Sequence, residues 1–190
     1  VKYNAVIDIK DVSSGSDEIV EPITVQEVKD YLRLEGFTDT DESTSESLSD
    51  FDFDDTLIEE AITAVREMVE LKCSLSLIPK TLSTVLTNQV GLIEIPRGPV
   101  NSVTSITSED GDAYDADNIK TVGGDFKLLR CPNDCNMTVV YEAGYTTVPK
   151  GIKFDLLRAA AYYYMNRGAE VVNPFVLSLA KKYSRNVWLA

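Results

Sequence analysis

Histidine is absent from these 190 residues. That removes Ser-His-Asp triads, histidine-ligated zinc and the usual general base near neutral pH; enzymes that work with paired carboxylates are not excluded by it. Cysteine is scarce and odd in number (Cys73, Cys131 and Cys135), which argues against a secreted disulfide framework and for a reducing compartment. Basic residues are short: 18 Lys and Arg stand against 31 Asp and Glu, a net charge of −13. Nonspecific nucleic-acid binding runs on cations that neutralise phosphate, so this balance speaks against it. No apolar run approaches the ~20 residues of a membrane span, and the amino terminus has no basic-then-apolar signal pattern. The chain also has no internal repeat. A membrane protein and a histidine-based enzyme both leave the field.

The chemistry that remains is thin. Asp50, Asp52 and Asp54 sit at the first, third and fifth positions of a calcium loop, but Asp55 replaces the glycine needed sixth and Ala61 the glutamate needed twelfth. Cys131 and Cys135 fall short of the four ligands of structural zinc. They also miss the Cys-x-x-Cys redox spacing, and read as small side chains flanking a turn. Gly123-Gly124 has neither Walker nor Rossmann context. The Ser and Thr residues of 38–49 mark a solvated loop rather than a nucleophile. The expectation is no catalytic residue, no metal site, no cofactor and no enzyme activity.

What is present is an α+β pattern: a four-helix bundle core with a β-rich insertion between the second and third helices. Residues 1–22 form an arm or strand around Val6, Ile7 and Ile9. Residues 23–79 hold two helices. Thr24 and Glu27 make a capping box for the first, which runs to about Leu34. An acidic loop spans 35–54, and Asp54 or Asp55 caps the second helix, whose apolar face is Leu57, Ile58, Ala61, Val65, Met68 and Val69. Residues 80–148 switch to short β-branched runs (TLSTVLT, LIEI, SVTSI, FKLL, MTVVY) separated by turn signals at Arg97-Gly98-Pro99, Asp110-Gly111, Gly123-Gly124 and Pro132-Asn133. Short connections predict antiparallel pairing of four to six strands. Residues 149–190 hold the last two helices and a tail. The third helix is expected from Lys150 to Arg167 with Gly168 after it, and the fourth begins at Pro174 behind an Asn173 cap and ends near Tyr183.

Two distributions bear on assembly. Residues 1–60 carry 4 basic and 18 acidic side chains (net −14), whereas residues 146–190 carry 7 basic and 2 acidic (net +5). Such ends can pair head to tail between copies, and heterologous contacts close into rings when the rotation permits. The third helix is apolar on more than one side. At about 100° per residue, Tyr162, Tyr163 and Tyr164 fan over more than half its circumference. Ile152, Leu156, Ala159 and Tyr163 follow one line, and Phe154, Leu157, Ala161, Tyr164 and Met165 another. One stripe is expected to pack on the second helix. The other is expected to meet the β insertion or an adjacent copy, because interfaces are enriched in Tyr and Met.

The run MTVVYEAGYTTVPKGIKFDLLRAAAYYYMNRG (residues 137–168) resembles the head-tail connector (head-completion, or adaptor) proteins of tailed bacteriophages. Three further stretches match in the same order: EPITVQEVKDYLRL (21–34), DDTLIEEAITAVREMVE (54–70) and IEIPRGPVNSVTSI (93–106). The resemblance covers most of the chain from about Glu21, so residues 22–190 read as one connector domain. It leaves the arm and the enlarged β insertion unexplained. It implies a structural virion protein, assembled in the host cytoplasm and located at the head-tail interface. Copies would form a ring, about twelve to match a portal. That ring would sit under the portal protein, extend the DNA channel and meet the next neck or tail-completion protein. DNA would pass through without tight binding.

Residue roles follow as expectations. Lys181, Lys182, Tyr183, Arg185 and Trp188 are the portal-docking set, since Trp, Tyr and Arg dominate interface hot spots; cutting the chain after Ser178 is expected to leave a folded domain that no longer docks. Tyr162, Tyr163, Tyr164 and Met165 are the subunit interface. Asp39, Asp41, Glu42, Asp50 and Asp52 are the channel-facing acids. The rival from another class is an acidic DNA-mimic inhibitor, suggested by the net charge; it does not account for the basic carboxyl terminus or the apolar third helix. A carboxylate-based hydrolase comes third, and would need a cleft holding two carboxylates from distant parts of the chain.

Overall fold

The structure is a computed structural model and describes residues 5–13, 20–33, 48–114, 120–166 and 172–184, with side chains at all of these except 5–7, 48–54, 88–90, 120 and 131–135. It is an α+β fold in which a β-rich insertion separates the second and third of four helices. The chain forms two compact units. Of the described residues, one comprises 5–13, 20, 74–114 and 120–146, and the other 21–33, 48–73, 147–166 and 172–184.

The helical unit holds α1 (Val25–Leu32), α2 (Leu48–Cys73), α3 (Lys150–Met165) and α4 (Pro174–Tyr183). The capping box forms: Thr24 Oγ accepts from the Glu27 amide at 3.2 Å, and Glu27 Oε2 accepts from the Thr24 amide at 3.0 Å. Two of the orphan donors at the helix start are thereby satisfied. Arg33 closes α1 in the left-handed conformation, φ 54°.

The second helix begins at Leu48, so the cap expected at Asp54 or Asp55 is wrong and Asp50, Asp52 and Asp54 are helical. The reason is electrostatic. Acidic residues are favourable in the first turns of a helix, near its positive end, so an acid run that resembles a loop also starts a helix. A helical backbone also dispenses with the calcium-loop geometry. Ile58, Ala61, Ile62, Val65 and Val69 form the buried face of α2. Leu57 and Met68 are only half-buried at its margins.

α3 touches all three other helices, and α2 also touches α1 and α4. That environment explains its broad apolar circumference, because a helix surrounded by others buries more than one stripe. Ile152, Leu156, Ala159, Ala160 and Ala161 are buried. It ends at Met165, two residues before the expected Arg167; Gly168 lies outside the described residues. At α4, Asn173 Oδ1 accepts from the amides of Phe175 (3.1 Å) and Val176 (3.4 Å) while its Nδ2 donates to the Ala159 carbonyl (2.9 Å), so one side chain caps α4 and ties it to α3.

The other unit is a five-stranded antiparallel sheet in the order β1-β2-β5-β3, built from β1 (Ala5–Asp11), β2 (Lys80–Glu94), β3 (Val100–Ser108) and β5 (Leu128–Ala143). Strand β4 (Lys120–Val122) also pairs with β5. The amino-terminal strand therefore completes the sheet of the insertion. Leu82 lies opposite Tyr141, Thr84 opposite Val139 and Leu86 opposite Met137. These alternate residues all point into the core with Ile93, Ile95, Val100 and Leu129, as the period-2 pattern requires. Thr84 is buried without loss because its hydroxyl donates to the Asp8 carbonyl at 3.0 Å. Tyr141 is likewise buried, and its hydroxyl donates to the Pro96 carbonyl.

Two expected breaks are not breaks. TLSTVLT and LIEI form one strand, as register shifts between Leu86 and Gly91 accommodate Gly91 at φ 85°. The turn expected at Pro132-Asn133 lies inside β5, where Cys131 pairs with Gly91 and Cys135 with Gln89, so a longer β5 segment faces a shorter one of β2. A bulge absorbs a proline that a regular ladder would reject. At Gly144, φ 132°, a Cβ would collide with the Ile78 carbonyl, so the last turn before α3 admits only glycine. No described helix is long and apolar enough to cross a membrane.

Candidate assembly surfaces

The aromatic run of α3 divides. Tyr164 is buried. Tyr162 is half-buried and meets the Phe175 ring of α4 edge to face, with centroids 5.7 Å apart. Tyr163 is 43% exposed and Met165 70% exposed. The expected stripes are thus mixed: Tyr163 leaves the line of buried Ile152, Leu156 and Ala159, while Ala161 and Tyr164 leave the line of exposed Phe154 and Met165. The lines drift because successive turns do not repeat after whole residues, and by the last turn the inward direction has passed to Tyr164.

The basic end of the chain is partly committed to the fold. Lys182 Nζ lies 2.7 Å from Asp155 Oδ2, and Asp155 is buried on α3. Arg158 approaches the other oxygen of the same carboxylate at 3.7 Å. Lys181 is exposed, and Tyr183 is half-buried with its hydroxyl close above Gly151. Leu179 is fully buried. A cut after Ser178, expected to leave a folded domain, would remove a core residue and the partner of Asp155. Arg185 and Trp188 lie outside the described residues, as do Asp39, Asp41 and Glu42. Asp50 and Asp52 fall in the opening turns of α2.

Sequence reasoning passed over two buried charge sites, and it saw Glu27 only as a helix cap and not as the partner of Lys153. Asp155, buried in an apolar helix, carries no signal beyond a lone acid among hydrophobics. Arg66 and Glu70 are each 3% exposed; Arg66 Nη1 lies 3.1 Å from Glu70 Oε2 and its Nε 2.8 Å from Glu21 Oε2. Thr63 donates to the other Glu21 oxygen at 3.0 Å. Burial alone would depress the Arg66 pKa, but the carboxylates of Glu21, Glu70 and Glu67 raise it. The i, i+4 spacing of Arg66 and Glu70 was available as a signal; its burial was not. At Glu27, burial would raise the pKa, but the Lys153 ammonium and the Thr24 amide hold it below the ordinary value.

A surface chain of rings runs across α1, α3 and α4. Tyr31 meets Phe154 edge to face at 6.4 Å, the Arg158 guanidinium lies 6.0 Å from the Phe154 centroid and 4.4 Å from that of Phe175, and Phe175 continues to Tyr162. Among the described residues no group of three His, Cys, Asp or Glu could hold a metal ion.

No protein-family model matches the chain, and no curated protein does. Among solved structures, the fold is shared with a chain in the neck of an empty GTA particle computed with C6 symmetry (TM-score 0.66, 18% identity, 93% of this chain and 95% of that one). It is also shared with a chain in the virion of a native gene transfer agent (GTA) particle (TM-score 0.58, 21% identity, 92% and 94%). A third is a chain in the neck of a native GTA particle computed with C12 symmetry (TM-score 0.58, 18% identity, 93% and 94%). The likeness is one of fold and takes in nearly the whole of each chain, the β-rich insertion included.

Proposed function

We propose that this chain is a structural virion protein of the neck: a head-tail connector, or adaptor, without enzyme activity. Its copies form a ring under the portal, extend the DNA channel and present a surface to the next neck or tail-completion protein. The observation that carries this reading is the shared fold, over 93% of the chain, with a protein in the neck of a GTA particle. Necks computed with C6 and C12 symmetry support a closed ring, since closed heterologous contacts generate cyclic symmetry, and about twelve copies would match a portal. The net charge of −13 suits a conduit through which DNA slides, because like charge suppresses nonspecific contact. Assembly takes place in the host cytoplasm, and the mature location is the virion.

Lys181, Tyr183, Arg185 and Trp188 form the portal-docking set in this reading, with Lys182 holding α4 in place; Asp39, Asp41, Glu42, Asp50 and Asp52 face the channel. Negative-stain imaging of the purified protein, alone and with its portal, tests the reading. Rings seated on the portal are expected. A chain that stays monomeric under both conditions, or one that binds duplex DNA tightly at moderate salt, overturns it.

A further inference from the structure

The chain of rings on α1, α3 and α4 is preorganised yet open to solvent. Phe154 is 54% exposed and Met165, further along the same side of α3, is 70% exposed. Each ring is fixed edge-on or under a guanidinium by its neighbour, so little side-chain freedom remains to be lost on binding. Aromatic, Met and Arg side chains are those enriched in interface cores.

The charges around it point to what covers it. α1, α3 and α4 together carry Lys29, Lys150, Lys153, Arg158, Lys181 and Lys182 against Glu27, Asp30 and Asp155, net +3 (6 − 3). α2 carries eight acidic residues against Arg66 and Lys72, net −6 (2 − 8). Its exposed side presents Glu59, Glu60, Glu67 and Leu71. α2 and α3 pack on one another through their buried faces, so the acidic side of α2 and the aromatic side of α3 look away from their shared contact. A surface and its complement on different sides of one subunit is the requirement for a heterologous contact that propagates into a ring.

We infer that the Tyr31–Phe154–Arg158–Phe175–Tyr162 chain, extended by Met165, is the subunit interface, and that its occupant is the acidic outer side of α2 from the next copy. Leu71 supplies the apolar contact, and Glu59, Glu60 and Glu67 meet the cationic rim. This rests on the neck reading and specifies which faces of neighbouring copies touch. It displaces Tyr163 and Tyr164 from the centre of the contact and retains Tyr162 and Met165.

The test places a photoreactive benzoylphenylalanine at position 154 of the full-length protein. Equal parts of isotopically light and heavy protein are irradiated, with and without the portal, and imaged alongside. Rings are expected, with light-to-heavy cross-links from position 154 to residues 56–72. Phe154→Ala and the double variant Glu59→Lys/Glu60→Lys should each stay folded by circular dichroism while requiring at least about tenfold more protein to assemble. Rings whose cross-links fall on any other element, or undiminished assembly by both variants, overturn this interface and leave the neck reading standing. A chain monomeric in every condition overturns both.

Discussion

The 2.7 Å ion pair between Lys182 of α4 and the buried carboxylate of Asp155 on α3 converts an otherwise costly acid into a tether between two helices. An unpaired carboxylate in that position would lose hydration without recovering it. Lys182→Met should therefore destabilise the fold by about 1–2 kcal/mol, below the full cost of a buried unpaired charge, because half of the lysine side chain is exposed and Arg158 also approaches Asp155. Lys181→Met should change stability by less than about 0.5 kcal/mol. Urea unfolding of the two variants checks this, and equal midpoints would refute the tether.

The same tether relocates the cut that separates docking from folding. Removal of residues 185–190 takes away Arg185 and Trp188 but spares Leu179 and Lys182. That truncation should remain folded by circular dichroism and lose portal binding in co-sedimentation. Full retention of binding would remove the tail from the docking set.

For the aromatic run the expectation is a split. Tyr164→Ala empties a buried site and should cost roughly 3–5 kcal/mol, in line with large-to-small aromatic truncations in cores. Tyr163→Ala, at a 43% exposed site, should cost less than about 1 kcal/mol. Thermal and denaturant melts distinguish them, and a Tyr163→Ala loss as large as that of Tyr164→Ala would mean the exposed ring is covered within the subunit.

Glu27 gives a pH dependence with a definite sign. Its folded-state pKa lies below the ordinary 4.5, so its contribution is complete above that value and is lost as pH falls through the lower folded value. Glu27→Gln keeps an acceptor for the Thr24 amide but loses the attraction to Lys153. Stability of the wild type should therefore converge toward that of Glu27→Gln as pH drops below about 4.5. Parallel curves across that window would show that the carboxylate charge contributes nothing.

Much of this architecture was legible in residue patterns because local chemistry and tertiary structure agree there. Thr24 with Glu27, Asn173 with Pro174, and the β-branched run at 138–140 each determine an element through contacts within a few residues. The misreadings occur where one composition serves two geometries. Asp50 to Asp55 suit a solvated loop and a helix amino terminus alike, and Pro132 marks a turn or a bulge according to what Gln89 and Gly91 do on the facing strand. The assembly surface was harder. Tyr162, Tyr163 and Tyr164 are adjacent in sequence, and only the packing of α2 and α4 around α3 decides which points inward. Phe175 and Tyr31, from two other helices, could not be joined to Phe154 by any periodicity.

The buried Arg66 cluster supports the last prediction, in which removing one partner and replacing the pair should have opposite outcomes. Arg66 and Glu70 are both 3% exposed and one helical turn apart, and Glu21 brings the segment before α1 onto the same guanidinium. Arg66→Ala leaves Glu70 buried with its counter-ion gone and should cost about 3–5 kcal/mol, as the loss of one partner of a buried pair does. Arg66→Met/Glu70→Leu replaces both charges by apolar side chains of similar length. It spares the desolvation of two ions and should recover most of that loss, reaching wild-type stability within about 1–2 kcal/mol. Glu21 then loses its arginine but stays at a partly exposed position, where water can solvate it. Chemical denaturation of the single and double variants is decisive. A double variant no more stable than Arg66→Ala would mean that the cluster specifies the docking of the Glu21 segment rather than merely compensating its own burial.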